Sequence, residues 1–576
     1  MLTRRKFLKR SLDAGLLAVP VVSAAVSCSA RAAERAVVLV NHVGFTPAAA
    51  KFCLVNGTRP VPFTVVKAGQ VVRQGMMNAS SGDLGDYLQG DFSDLSQPGS
   101  YQVVVSSIRS EVFTVSDAIY TDAIRRGVGY FAKQRCGDSH SGYHAPCHLD
   151  DGRRRDNGRH QDVTGGWHDA CDVRKWVDAT IYGMMGLSRV LDVLGKKQAD
   201  AIVDELRWGN QYFLKMQEPD GYLMDYCGGD DGNYFTDNQI GTADDRPIHV
   251  DPCILPAQFH FIAAQAAMVR QTREADPDYA RRCQESAHRC LHWCTTQRQP
   301  AAATSLGAAI IACVQWHRTT GEDRYQNLAV GYAASLLTLQ TTKSTDPANE
   351  PSGFFLATPD RPDPAREIQH GNLPLLALCE LLEQFPKHAQ ASLWRSALEL
   401  HTHYLTTLSG RSVFGAIPFG LYVGNDPGGN RRIGSYWYRW FMKTHGEYAA
   451  ADWWVGINAH LASHGVGLCK AARLLQSPTL RSLAQRQLDW ILGLNPFNAS
   501  TITGTGRNQP ALYVTGQFRP ATPLIAGGVM NGLGGSALDQ PVLQPGSWNT
   551  CEYWTPMTAY TMWLMAELQT AGGKPR

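Results

Sequence analysis

Apolar residues recur at i, i+3 and i+4 through about a dozen segments of similar length from residue 118 onward. The segments run over 118–135, 173–194, 198–217, 256–274, 277–296, 304–319, 322–341, 371–385, 388–408, 455–475, 477–492 and 555–570. Leu328, Tyr332, Leu336 and Leu339 show the spacing. Short turns such as Leu194-Gly195 and Thr320-Gly321-Glu322-Asp323 join neighbours, so consecutive helices form hairpins. Hairpins in that number, in one domain, are what an (α/α)6 barrel requires; an irregular helical array would share the periodicity. Longer stretches at 136–171, 218–252, 343–369, 409–454 and 493–554 interrupt the helices. They hold Trp, Tyr, His, Asp and Gly rather than Ser/Lys tracts, which marks them as ordered and site-forming.

Residues 35–117 read differently. Ala36–Val40, Lys51–Val55, Phe63–Val66, Tyr101–Val105 and Glu111–Val115 are short strand-like runs separated by turn signals such as Asn56-Gly57 and Pro98-Gly99. A small β-sandwich is expected. It carries no His/Asp/Glu cluster, so its expected role is packing against the helical part, with glycan binding as the sharper alternative.

The first segment is a targeting signal. Thr3-Arg4-Arg5-Lys6-Phe7-Leu8-Lys9 is a twin-arginine motif followed by an apolar run that Pro20 breaks. Ala30-Arg31-Ala32 offers a cleavage site, and Ala25-Val26-Ser27-Cys28 a lipobox-like alternative in which Cys28 would carry lipid. The expected organisation is a signal at 1–33, a sandwich at 34–117 and a helical domain at 118–576, in a protein exported to the periplasm or beyond. No transmembrane span is expected in the mature chain. A net charge of +3 over 576 residues gives no electrostatic case for nucleic acid. Fourteen Cys in an exported chain suggest disulfides, which sequence cannot pair. Cys313, Cys379 and Cys469 lie in apolar helical patterns and read as buried free thiols.

Two groups carry chemistry. Cys136, Cys147, His148 and His168 supply two thiolates and two imidazoles, a set that satisfies tetrahedral zinc. A Cys136–Cys147 bridge is the competing reading. Four protein ligands make a closed site, hence a structural one. Next to it, in Gly165-Gly166-Trp167-His168-Asp169-Ala170-Cys171-Asp172, two carboxylates stand three residues apart. If Asp169 and Asp172 open a helix, they share a face and are placed to orient and deprotonate a water. An acidic helix start would look the same.

These residues resemble glycoside hydrolase family 9, the inverting β-1,4-glucanases. Val40-Asn41-His42-Val43-Gly44-Phe45, with Pro47 and Lys51, is similar to the opening of that family's N-terminal immunoglobulin-like domain. Gln134-Arg135-Cys136-Gly137, Cys147-His148 and Gly165–Ala170 match the zinc-binding subgroup's run into its Asp-Ala-Gly-Asp motif, with Cys171 where the motif has Gly. Leu488-Asp489-Trp490-Ile491-Leu492-Gly493-Leu494-Asn495-Pro496, Ser500 and Thr503-Gly504-Thr505-Gly506 match a family signature, and Gly527-Gly528 with Asn531 a later turn.

The resemblance implies Asp172 as general base, Asp169 as a second holder of the water, and Glu552 in Trp548-Asn549-Thr550-Cys551-Glu552-Tyr553-Trp554 as general acid, with Trp548, Tyr553 and Trp554 desolvating it. It implies a β-1,4-glucan or oligosaccharide substrate, structural zinc, and calcium, for which Asp230-Asp231-Gly232-Asn233 is an oxygen-rich turn. A monomer is expected. Trp453 and His370 are the expected sugar contacts, chosen from aromatics that include Tyr436, Trp437, Tyr438, Trp440 and Trp454. The chain departs from the family at Cys551 before the acid, Thr555-Pro556-Met557 after it, and Arg507–Tyr513 in place of a His/Arg sugar-contacting segment. Of the Asp-rich stretch before the acid only Asp539 remains. An exo-acting β-glucosidase or β-glucosaminidase and an inactive glycan-binding relative are the alternatives.

Overall fold

The computed structural model describes residues 37–138, 142–195, 199–229, 235–342, 350–442, 455–514 and 524–570. The expected signal at 1–33, Cys28, Asp230–Asn233, Trp453 and Trp454 lie outside them.

The N-terminal part is a bent eight-stranded sheet of β1 (Gly44–Phe45), β2 (Phe52–Asn56), β3 (Val61–Lys67), β4 (Gln70–Gly82), β5 (Gly85–Asp91), β6 (Gly99–Val105), β7 (Ile108–Arg109) and β8 (Phe113–Val115). The path runs β1-β8-β6-β3-β4-β5-β2, with β7 on β6. Alternating residues such as Phe63 and Val65 turn inward onto Phe45, Met77, Tyr101 and Phe113. Sequence misses β4, which is mostly solvent-facing, and β5, whose buried Tyr87 and Leu88 are flanked by Gly, Asp and Gln and make no alternating apolar run. The run expected at 36–40 contributes only an isolated bridge, Leu39 to Leu54.

Twelve long helices follow among the described residues: α1 (Thr121–Lys133), α2 (Val177–Leu194), α3 (Ala199–Lys215), α4 (Leu255–Thr272), α5 (Pro277–Thr296), α6 (Ala303–Thr320), α7 (Asp323–Leu337), α8 (Leu373–Gln384), α9 (Ala391–Ser409), α10 (Asn458–Leu474), α11 (Pro478–Ile491) and α12 (Thr555–Gln569). The even-numbered helices touch in sequence and close on themselves, α2 to α4, α6, α8, α10, α12 and back to α2. This is the inner ring of an (α/α)6 barrel. Sequence decides which helices are inside. In α2 fourteen of eighteen residues are buried all round its circumference. In α5 the buried set is a stripe, Tyr279, Cys283, Ser286, Cys290 and Trp293, so its other face meets solvent. Every described cysteine is buried and free, Cys313, Cys379 and Cys469 included, so no disulfide occurs among the described residues. No described helix is long and apolar enough to cross a membrane.

The end of α11 and the turn after it receive the sandwich. Asn41 Nδ2 donates to Asp489 Oδ1 at 2.9 Å, and His42 N to Leu492 O at 2.9 Å. Gly493 sits at φ +112, where a Cβ would meet the His42 ring at 2.3 Å. A second clamp is Asp83, whose carboxylate takes the Trp440 Nε1–H at 3.0 Å and the Tyr438 hydroxyl. Tyr438 and Trp440 are therefore interdomain core. Tyr436 packs edge-on to Phe354.

Candidate active site

Asp169 and Asp172 do not open a helix. They lie in a turn closed by Asp169 N donating to Arg174 O at 2.9 Å, and α2 starts only at Val177. The reason is Val173, held at φ +55, a left-handed conformation that a β-branched residue resists and a helix cannot contain. Arg246 Nη1 donates to Val173 O at 2.6 Å and helps keep it there.

A fully buried charge cluster stands behind the turn. Arg246 Nε and Nη2 donate to Asp151 Oδ1 and Oδ2 at 2.8 and 2.6 Å, and Lys175 Nζ lies 2.7 Å from Oδ2. Burial disfavours the Asp151 carboxylate, but the Arg246 and Lys175 charges outweigh it and hold the group well below the usual carboxylate range. Lys175 also donates to Val163 O and Gly165 O at 2.7 and 3.1 Å, tying the turn to the glycines before it. Gly166 must be glycine: its φ is +74 and a Cβ would sit 2.6 Å from Tyr212 Cβ. Trp167 is locked by its Nε1–H donating to Glu205 Oε1 at 2.6 Å.

The acid-bearing stretch meets this turn from the far end of the chain. Glu552–Trp554 is extended against Val529–Asn531, with Asn531 N donating to Glu552 O at 2.8 Å and Trp554 N to Val529 O at 3.1 Å. That places Trp554 Nε1 2.9 Å from Asp169 Oδ2 and Cys171 Sγ 3.0 Å from Glu552 Oε1. Trp554, expected to desolvate Glu552, is a hydrogen-bond donor to Asp169. Asp172, next to Cys171, is half-buried and takes the Arg174 guanidinium at 3.5 Å. Tyr553 is fully buried, edge-on to Tyr130. Burial pushes both phenols up.

Cys136, Cys147, His148 and His168 converge, all buried, with ligand atoms within 4.8 Å of one another. Cys136 Sγ is 3.4 Å from His148 Nδ1, and Cys147 Sγ 3.6 Å from His168 Nε2. A tetrahedron with ordinary zinc–thiolate and zinc–imidazole bonds has S···N edges of about 3.6 Å, so the four side chains fit zinc as they stand. Burial lowers His168 to about 3, leaving the imidazole neutral as a ligand must be. Arg246 Nη2 lies 3.8 Å from Cys136 Sγ, beyond the ligands themselves. A separate group, Asp150, Asp244 and Asp245, gathers carboxylate oxygens within the same span.

His370 is buried just before α8, its Nδ1 2.6 Å from Tyr182 OH. Burial lowers it to about 4. Sequence reasoning missed Asp151, Lys175 and Arg246. A buried charge has the same letter as a surface one, and only the adjacency of Arg174-Lys175 to the Asp172 motif hinted at them.

The family model described as glycosyl hydrolase family 9 matches residues 120–514, more than half of the chain. This protein belongs to glycosyl hydrolase family 9. A second model, the cellulase N-terminal ig-like domain, matches residues 33–110. The family 9 match ends before Glu552, so it does not reach the acid-bearing stretch. Endoglucanase D of Acetivibrio thermocellus is 28% identical over 278 residues, 43% of this chain and 44% of that protein. The chain thus matches less than half the length of that relative. The fold is shared with the crystal structure of a metagenome-derived family 9 endoglucanase, TM-score 0.69 at 20% identity, covering 93% of this chain and 99% of that one. It is shared too with a Zn-binding triple mutant of another family 9 endoglucanase, TM-score 0.68 at 19% identity, covering 91% and 100%.

Proposed function

We propose that this family 9 member is an inverting glycoside hydrolase that cleaves β-1,4-glucan chains or their oligosaccharides. Asp172 removes a proton from water as the water oxygen bonds to the anomeric carbon. Asp169 holds that water from the other side. The glycosidic C–O bond breaks as Glu552 gives its proton to the leaving oxygen, and the net change is addition of one water. Inversion needs the two carboxyl groups roughly 6.5–9.5 Å apart with water between them. The observation that carries the reading is the contact of Cys171 with Glu552 at 3.0 Å across 381 residues, beside Asp172. It brings the segments of Glu552 and Asp172 face to face, which supports an acid and a base at those positions.

Cys136, Cys147, His148 and His168 are proposed to hold one structural zinc. When bound it would cross-link the loop that carries Asp169; four protein donors leave no position for substrate. Calcium is proposed as a second, oxygen-bound ion. Trp453 and His370 are proposed sugar contacts. Residues 1–33 are proposed as a twin-arginine signal and the mature enzyme as an exported monomer.

The test is turnover of cello-oligosaccharides and of β-1,4-glucosamine oligosaccharides by the wild type and by Asp172→Asn. Cleavage of the glucose series by the wild type alone supports the reading. Cleavage of the glucosamine series in preference moves the substrate class. Retained oligosaccharide binding with no turnover of either would replace the enzyme by a glycan-binding relative.

A further inference from the structure

Cys171 occupies the position between the two aspartates where the family motif has glycine, and its side chain is not idle. It is 1% exposed, and its Sγ lies 3.0 Å from Glu552 Oε1. A thiol has one hydrogen to give, and a carboxyl oxygen is the better acceptor of the pair. Glycine could make no such contact. Both partners are fixed by backbone pairing. Asp169 N to Arg174 O closes the turn that carries Cys171, and Asn531 N to Glu552 O anchors the acid. The thiol therefore meets one particular oxygen.

We propose that Cys171 is a positioning residue for the general acid. Its S–H occupies Oε1, so that the transferable proton rides on Oε2 and is presented to the leaving oxygen. The same contact couples the acid mechanically to the turn that carries Asp169 and Asp172. No bond to sulfur forms or breaks: the thiol keeps its hydrogen through the cycle, and the proton that Glu552 gives up is regained from solvent. The inference rests on the assignment of Glu552 as the acid. Ionisable groups around the contact include Asp169, Asp172 and the tyrosines Tyr130, Tyr143 and Tyr553, whose phenols burial pushes up.

The experiment compares two leaving groups. A sugar leaving group needs protonation; a dinitrophenolate does not. The full-length chain and its Cys171→Ala, Cys171→Ser and Glu552→Gln variants are assayed on cellotetraose and on a dinitrophenyl β-cellobioside, with thermal unfolding run alongside. General acid assistance is worth roughly 10²–10⁴-fold, and a positioning group carries a part of it, so Cys171→Ala is expected to lose about tenfold more kcat on cellotetraose than on the aryl glycoside. KM should change little. Cys171→Ser, which restores a donor, should recover most of the difference. Because a donor to Oε1 favours the charged carboxylate, the alkaline limb of kcat/KM on cellotetraose should move up in Cys171→Ala and return in Cys171→Ser.

Equal losses on both substrates, or none, in Cys171→Ala while Glu552→Gln remains selective for the sugar leaving group would overturn the role of Cys171 alone. Glu552→Gln that fails to discriminate the leaving groups would overturn the acid assignment, and the inference with it. Should Cys171→Ala not fold, a Cys171→Ser variant with a wild-type melting temperature and wild-type kinetics supports the donor role, and one with a wild-type melting temperature and the leaving-group defect contradicts it.

Discussion

Trp554 Nε1 donates to Asp169 Oδ2 at 2.9 Å, joining residues 385 apart in sequence. The next residue adds to it: Thr555 N and Oγ1 both donate to Asp169 O, at 3.1 and 3.0 Å. The start of α12 thus grips Asp169, proposed to help hold the water, and α12 is also the helix that closes the inner ring onto α2. The same helix start serves barrel closure and the placement of this carboxylate. Trp554→Phe keeps most of the packing and removes one hydrogen bond to a charged group, worth about 1.5–3 kcal/mol of stability, so the melting temperature should fall, and kcat should drop roughly tenfold while KM changes little. Steady-state kinetics on cello-oligosaccharides decide it; an unchanged kcat would show that Asp169 needs no such hold.

Asp151 should matter for stability more than any exposed acid. It is completely buried between Arg246 and Lys175. Asp151→Asn leaves two buried cations with one neutral partner, and removing one member of a buried ion pair costs about 3–5 kcal/mol. Denaturant unfolding measures the loss, and a drop below about 1 kcal/mol would mean that water reaches the cluster.

The zinc fit carries its own check. Elemental analysis of the purified protein should find one zinc per chain. Cys147→Ser, or chelation under partly denaturing conditions, should release the metal and lower the melting temperature, since the binding free energy of a structural zinc is folding free energy. Protein that holds no zinc and has Cys136 and Cys147 disulfide-bonded would remove the site.

Stability should also depend on pH through Asp489, at the sandwich interface. It is fully buried, and burial raises its pKa from 3.8 to about 6 against the hydrogen bonds of Gln485 and Asn41. The folded state therefore holds this proton more tightly than the unfolded one. Its contribution is fully present below pH 4 and is lost as pH rises through 6, by roughly 3 kcal/mol for two pH units at 1.36 kcal/mol each. Asp489→Asn cannot titrate, so the difference in unfolding free energy between wild type and variant should change across pH 4–6 and be flat above it. A constant difference across that window would contradict the raised pKa.

The helical barrel was legible because each of its helices buries a continuous stripe or its whole circumference, and apolar period reports that directly. The convergence of Cys136, Cys147, His148 and His168 was legible for a different reason, a residue set whose chemistry has few other uses. The local shape of the turn that carries Asp169 and Asp172 was not. Asp169 and Asp172 at i,i+3 suggested a helix start, but Val173 in a left-handed conformation and the Asp169–Arg174 backbone bond make a turn, and neither has a sequence signal. Strand β4 escaped because it faces solvent, and β5 because its two buried apolar residues, Tyr87 and Leu88, are adjacent and flanked by polar residues and glycines. Tyr438 and Trp440, weighed as sugar platforms, pack on Asp83 from another domain, a partner more than 350 residues away that no local pattern reveals.

The central claim is inversion by two facing carboxyl groups, and NMR of the anomeric protons during digestion of cello-oligosaccharides tests it most directly. The wild type should release the α-anomer first, with the β-anomer growing in only by mutarotation, and Asp172→Asn should release neither at a comparable rate. β-Anomer as the first product would contradict the account, because it requires a covalent or double-displacement route that an Asp172 base and a Glu552 acid do not provide.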